Sequence, residues 1–243
     1  MRDSPANVHS VNIAIDVLST ACFFRGEGAV TNAHRDRPAR STYRHGDLYG
    51  ALLTTGVELA RAGGPAAVVL REATRRAGVS PSAAYRHFAD RGALVAAVCS
   101  AAQAALANAI QDALDQVPVA NDRAVAARAH LRAVGAGYVT FARAEPNLFR
   151  TAFSPSQNLE RAESAARAGR SGMTPFQMLN AALDDLVEAG ELPRERRAGA
   201  EFLAWSAVHG LAMLAIDGPL RGLGPAQVRG ITERLLDMVQ QGL

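Results

Sequence analysis

LREATRRAGVSPSAAYRHF, residues Leu70 to Phe88, holds two short helical segments separated by a glycine. Leu70, Ala73 and Ala77 fall on one face of the first segment at helical spacing. Gly78 then breaks it, because glycine alone takes a left-handed backbone without steric cost. Ser80 is placed to cap the next helix, and Pro81 occupies that helix's first position, where a missing N–H costs nothing. Helix, glycine turn and capped helix make a helix-turn-helix, with the second member expected to end near Phe88. On that member Ala84 and Phe88 lie four apart and are expected to pack inward, on Val79 and on the first helix of the bundle. Ser82, Ala83 and Arg86 then face outward, toward a DNA major groove. Tyr85 and His87 flank this face and suit phosphate oxygens, as does Arg91 at the start of the following helix. Arg86 has the side chain to read guanine O6 and N7 through two hydrogen bonds. On an isolated helix Tyr-Arg-His is an ordinary polar surface, and the register from Tyr43 to Phe88 is what favours DNA.

Working outward, helical periodicity dominates and strand signals nearly vanish, so the chain reads as all-α. Asp47 is a plausible cap for a first helix carrying Leu48, Leu52, Gly56 and Leu59, stopped by Gly63-Gly64-Pro65. Asp90 caps a long Ala- and Leu-rich fourth helix running to about Asp115. Further helices are expected from about Asn121 to Ala144, in a short piece near Phe149 and, after a loop around Ser154, Pro155 and Ser156, over Leu159–Ala168. Others run from Thr174-Pro175 to Ala189, from Pro193 to about Ile216, and from Pro225 to the end. The boundaries this suggests are an arm over residues 1–40, a three-helix DNA-binding bundle over 41–91 and a larger helical domain over 92–243.

Charge supports that division. All 26 basic residues are Arg, and between His34 and Arg91 ten Arg stand against five Asp or Glu, whereas from Gly92 onward 14 stand against 15. A basic excess confined to the DNA-reading segment fits a polyanionic partner. The two cysteines, Cys22 and Cys99, have neither disulfide-framework nor zinc-ligand spacing, which fits a reducing cytoplasm. Val11 to Phe24 is apolar but too short to span a bilayer, and no membrane partner is expected. Export through that stretch is the alternative set against a cytoplasmic protein whose translation starts near Val30.

Aromatic and methionine side chains cluster after residue 137. Tyr138, Phe141, Phe149, Phe176 and Trp205 are the candidates for an apolar ligand pocket, with simple core packing as the alternative for each. Ala207, Gly210 and Leu214 share one face of the Pro193–Ile216 helix, and Leu235, with Val228 and Val239, gives the last helix an apolar stripe. These two helices are the candidates for a symmetric dimer contact. Searches for a G-x-S-x-G elbow, a P-loop or a G-x-G-x-x-G turn find none. Asp184, Asp185 and Glu188 form an acidic face without the histidines of a di-metal site. No catalytic residue, metal or cofactor is expected. The competing functions are an operator-binding regulator, a DNA-independent helical ligand-binding or scaffold protein, and a helical enzyme.

Tyr43-Arg44-His45-Gly46-Asp47-Leu48, Leu70-Arg71-Glu72, Arg76-Ala77-Gly78-Val79-Ser80 and Tyr85-Arg86-His87-Phe88 together resemble the DNA-binding domain of tetracycline-repressor (TetR) family regulators. Trp205-Ser206-Ala207-Val208-His209-Gly210-Leu211 is similar to a Trp-His-Gly signature of one C-terminal subclass. The resemblance implies a two-domain helical fold and homodimerisation through the last two long helices. It also implies a cytoplasmic repressor that a small apolar effector releases from double-stranded operator DNA. Arg71, in its matching motif, joins Ser82, Ala83, Tyr85, Arg86, His87 and Arg91 as a DNA-contact candidate. Two positions depart from the family pattern: Val69 stands where Ser or Thr caps the second helix, and Gly92 where the fourth helix carries Glu.

Overall fold

Gly78 adopts φ 68°, ψ 27°, the left-handed turn its position requires, in a computed structural model that describes residues 48–154 and 162–243. It ends α2 (Leu70–Ala77), which follows α1 (Leu48–Ala67). The backbone of α1 leaves helical geometry at Gly63 and at Gly64, whose φ is 70°, so the Gly-Gly-Pro stop operates as expected. Asp47, the proposed cap of α1, lies outside the described residues. Val69 offers α2 no side-chain cap. Inside α2, Glu72 instead pairs with Arg75 and Arg76 at 2.7 and 2.8 Å. Those two guanidinium groups hold its carboxyl down at about 2.

Ser80 caps α3 (Pro81–Ala84) by accepting from Ala83 N at 3.3 Å. This helix is a single turn, shorter than the expected run to Phe88. After Ala84 the bonding tightens, with Arg86 N donating to Ala83 O and His87 N to Ala84 O, which is a turn rather than an α-helix. Ala84 and Phe88 nevertheless point inward, and Phe88 stacks on Tyr49 of α1 with ring centroids 5.0 Å apart.

Asp90 starts α4 (Arg91–Leu114), accepting from Ala93 N at 2.8 Å. By length and hydropathy α4 could cross a membrane, but Leu94, Val98, Leu106 and Ile110 bury its inner face in the protein core. Its neighbour α5 (Arg123–Ala144) is capped by Asp122, which bonds Ala124 N and Val125 N. The two helices cross closely at Gly137, where a Cβ would meet the Ile110 backbone at 2.9 Å and Ala109 O at 3.1 Å. Then come α6 (Pro146–Ala152), α7 (Pro175–Glu188) with its Thr174–Gln177 capping box, α8 (Ala200–Ile216) and α9 (Pro225–Gly242).

Two expected helices are corrected. Of Leu159–Ala168, residues 159–161 lie outside the described set, as do Pro155 and Ser156 of the loop before it. The described remainder forms only a 3-10 turn over Ala165–Arg167. The helix expected from Pro193 begins at Ala200, because Gly199 sits at φ 82° and severs it from a 3-10 turn at Arg194–Arg196. No strand occurs among the described residues, and the fold is all-α, a helix-turn-helix head followed by a larger helical body.

Candidate functional site

The head presents one polar face. Arg71, Ser82, Tyr85, Arg86 and His87 are exposed and Ala83 half-buried, on the side of α3 opposite the buried Ala84 and Phe88. Tyr85 is 59% exposed. Arg91 is placed differently. Its Nε donates to Val68 O at 2.8 Å and its Nη2 to Pro65 O at 2.9 Å and Ala66 O at 3.4 Å. In this structure the side chain therefore clamps the α1–α2 connection to the start of α4. A role in positioning the head follows more directly than a phosphate contact. The first turn of α4 carries no acidic residue, and Gly92 is exposed there.

The body encloses a cavity of about 310 Å³ between α4, α5, α7, α8 and α9. Tyr138, Phe176 and Trp205, three of the five aromatics expected there, line it; Phe141 and Phe149 do not. Both are buried in the core instead, and Phe149 lies behind Tyr138, edge-on at 5.3 Å. The wall also contains Phe153, a member of the aromatic cluster after residue 137, together with Gln103 and Arg167, which periodicity does not single out.

Tyr138 organises the aromatic side. Its Oη accepts from Trp205 Nε1 at 3.1 Å and lies 2.8 Å from His209 Nδ1. An indole N–H can only donate, so the phenol oxygen is the acceptor of that bond, and its second bond is shared with His209 Nδ1. Burial pushes the Tyr138 phenol far above its ordinary value, only partly opposed by the Trp205 N–H, and burial pushes His209 down. The three groups form a neutral, hydrogen-bonded set near pH 7. Tyr138→Phe leaves the Trp205 N–H and His209 Nδ1 without their partner, an expected loss of about 1–3 kcal/mol. A denaturant midpoint lowered at unchanged slope would register it; a midpoint equal to the parent's would show that the hydroxyl contributes nothing net.

The acidic face of α7 is engaged in ion pairs: Asp184 with Arg197 at 2.7 Å, Glu188 with Arg123, and Asp185 near His130 at 3.5 Å. Among the described residues no cluster of His, Cys, Asp or Glu could hold a metal ion.

A second apolar surface runs along the outside of α8 and α9. Leu203, Leu214, Ile231 and Met238 are exposed, with Ala207, Gly210 and Leu235 between them. A Cβ on Gly210 would touch nothing within 4 Å. Val228 and Val239 belong elsewhere, buried on the opposite side of α9, so the outward stripe consists of Ile231, Leu235 and Met238.

A family model described as bacterial regulatory proteins, tetR family, matches residues 52–98, and one described as tetracyclin repressor-like, C-terminal domain, matches residues 131–239. Among solved structures, a protein of unknown function from Rhodococcus sp. RHA1 is 26% identical, with 84% of this chain and 99% of that one covered and a TM-score of 0.65. The crystal structure of SCO4313, at 16% identity, covers 78% of this chain and 93% of its own with a TM-score of 0.50, a likeness of fold alone. The comparison with curated proteins finds no match.

Proposed function

We propose, from the premise that the chain belongs to the TetR family of DNA-binding transcriptional regulators, that it is a cytoplasmic homodimeric repressor released from its operator by a small apolar effector. The head over 41–91 reads DNA and the body over 92–243 binds the effector and the second copy. One observation supports this best: α4 carries cavity residues Gln103 and Ile110 in its middle and Arg91, the clamp on the head, at its N-terminus. A ligand filling the cavity therefore presses on the same helix that holds the recognition element. The basic head and the exposed Ser82–Tyr85–Arg86–His87 face support DNA as the partner.

The test is a gel shift on the protein's own upstream DNA. A dimer that neutralises about six to ten phosphates loses roughly 10³- to 10⁵-fold in affinity between 50 and 200 mM salt. Arg86→Ala is expected to cost about 1–3 kcal/mol and to relax base preference at one position per half-site. Binding by Arg86→Ala with unaltered preference would remove Arg86 from base reading. Absence of any salt-sensitive shift would favour a DNA-independent ligand-binding protein.

A further inference from the structure

Five aromatic rings border the cavity, those of Tyr138, Phe153, Phe176, Phe202 and Trp205. Aromatic residues are only 5% of the chain, so composition does not account for their gathering here. They form an unbroken arc. Ring centroids are 5.9 Å apart from Tyr138 to Phe153 and 6.1 Å from Phe153 to Trp205. The arc continues with 6.1 Å from Trp205 to Phe176 and 6.2 Å from Phe176 to Phe202. Successive rings are inclined by 37–65°, so they do not cover one another's faces.

The polar side chains on the same wall are engaged within the protein. Trp205 and Tyr138 bond each other, and Tyr138 also meets His209. Gln103 Nε2 donates to Ala152 O at 2.9 Å, and its Oε1 lies 3.5 Å from Arg167 Nη1. Arg132 pairs with Asp237, Gln240 Nε2 donates to Arg128 O, and Ser154 bonds the Cys99 thiol. These contacts decide the charge of a guest. Ring faces attract cations, but Arg132 and Arg167 stand on the same wall and remain positive at any pH a protein tolerates. An anion would exchange its hydration for a wall whose polar groups already have partners, which is costly. A neutral guest meets neither penalty. Its size is bounded as well: a cavity of about 150 Å³ holds one benzene ring, and this one has about 310 Å³. We propose that the effector is an uncharged, flat aromatic compound of two-ring size that stacks on the arc from Tyr138 to Phe202. This rests on the reading of the cavity as the effector site and adds the chemical class of the effector.

Four probes of one skeleton separate the terms: 2-naphthylmethanol, its decahydro form, 2-naphthoate and 2-naphthylmethylammonium. Each is titrated against the full chain by calorimetry, with the melting temperature followed in parallel. The aromatic alcohol is expected to bind about tenfold more tightly than the saturated one, the worth of one or two ring–ring contacts beyond burial. Both charged probes are expected to bind at least about tenfold more weakly than the aromatic alcohol. Phe176→Leu, which keeps an apolar wall but breaks the arc, is expected to narrow the preference for the aromatic alcohol, with circular dichroism reporting its fold. If this variant does not fold, the four probes on the parent protein decide by themselves. A saturated alcohol that binds as tightly as the aromatic one overturns the aromatic assignment, and a charged probe that matches the aromatic alcohol overturns neutrality. An unchanged preference in folded Phe176→Leu overturns the role of the arc. An aromatic alcohol that binds as expected but leaves the operator complex intact in a gel shift overturns the effector reading and leaves the chemistry of the cavity standing. Absence of heat and of a melting shift with all four probes overturns the inference, while the DNA reading still stands or falls by its own gel shift.

Discussion

Gly210→Arg is expected to give a folded, helical monomer that no longer binds its operator. A Cβ at this position meets nothing within 4 Å in the protomer, so the new side chain leaves the helix on an open side, away from the core. Replacing a mid-helix glycine also favours α8 itself, by up to about 1 kcal/mol. The damage is confined to assembly. Gly210 lies between Leu203, Ala207 and Leu214 on a surface too apolar to face water without reason. Under the proposed arrangement that surface meets its symmetry mate, with glycine at the closest approach and Ile231, Leu235 and Met238 of α9 alongside. A single-turn recognition element has too few base contacts to select a site alone, so both half-sites must be read together. Loss of the dimer is therefore expected to reduce operator affinity about a thousandfold or more, toward the non-specific level. Light scattering reports mass, circular dichroism helicity, and a gel shift binding. A helical variant that stays dimeric and binds normally would move the interface to another face.

Phe149→Ala and Phe176→Ala separate the frame of the cavity from its lining. Phe149 is fully buried and touches Tyr138, Phe153 and His209 with ring centroids 5.0–5.6 Å away. Its removal opens a hole beneath the Tyr138–Trp205–His209 set and is expected to cost about 3–5 kcal/mol. Phe176 is only half-buried, lines the cavity, and neighbours Trp205 and Phe202. Its truncation removes less buried surface, so the expected stability loss is smaller, while an apolar probe loses part of its wall. Denaturant unfolding measures the first effect and Trp205 quenching the second. Equal stability losses for the two would mean that Phe176 is as much a part of the frame as Phe149.

The head was legible in the sequence because its signals are local. Gly78, Ser80 and Pro81 each act on the backbone within a few residues, and the structure has α2 over the expected residues and α3 starting where its cap predicts. Where α3 ends is not a local matter: the inward pull of Phe88 onto Tyr49, 39 positions earlier in the chain, accompanies the tight turn after Ala84. The start of α8 shows how two signals compete, since Pro193 marks a helix start but Gly199 lies beyond it with a left-handed backbone. The cavity was legible only as a concentration of aromatics. Whether Phe149 or Phe153 faces the chamber depends on how α5, α6 and α8 pack, and all three have apolar residues on more than one side. Helix α9 poses the same difficulty. Val228 and Val239 lie on its inner face, Ile231 and Met238 on its outer one, and composition alone does not separate the two stripes.

The close crossing at Gly137 gives α4 the mechanics of a lever. Backbone meets backbone there, at Ile110, with no long side chain between to absorb movement. From Ile110 to Arg91 the helix extends about 28 Å at its usual rise. Tilting α4 by one degree about the crossing thus carries its clamped end about half an ångström, and five degrees about 2.5 Å. Gln103 stands between pivot and clamp, about 10 Å from the crossing, so displacement at the cavity wall is amplified nearly threefold at the head. Arg91 grips the carbonyls of Pro65, Ala66 and Val68, so such a movement would reach the α1–α2 connection.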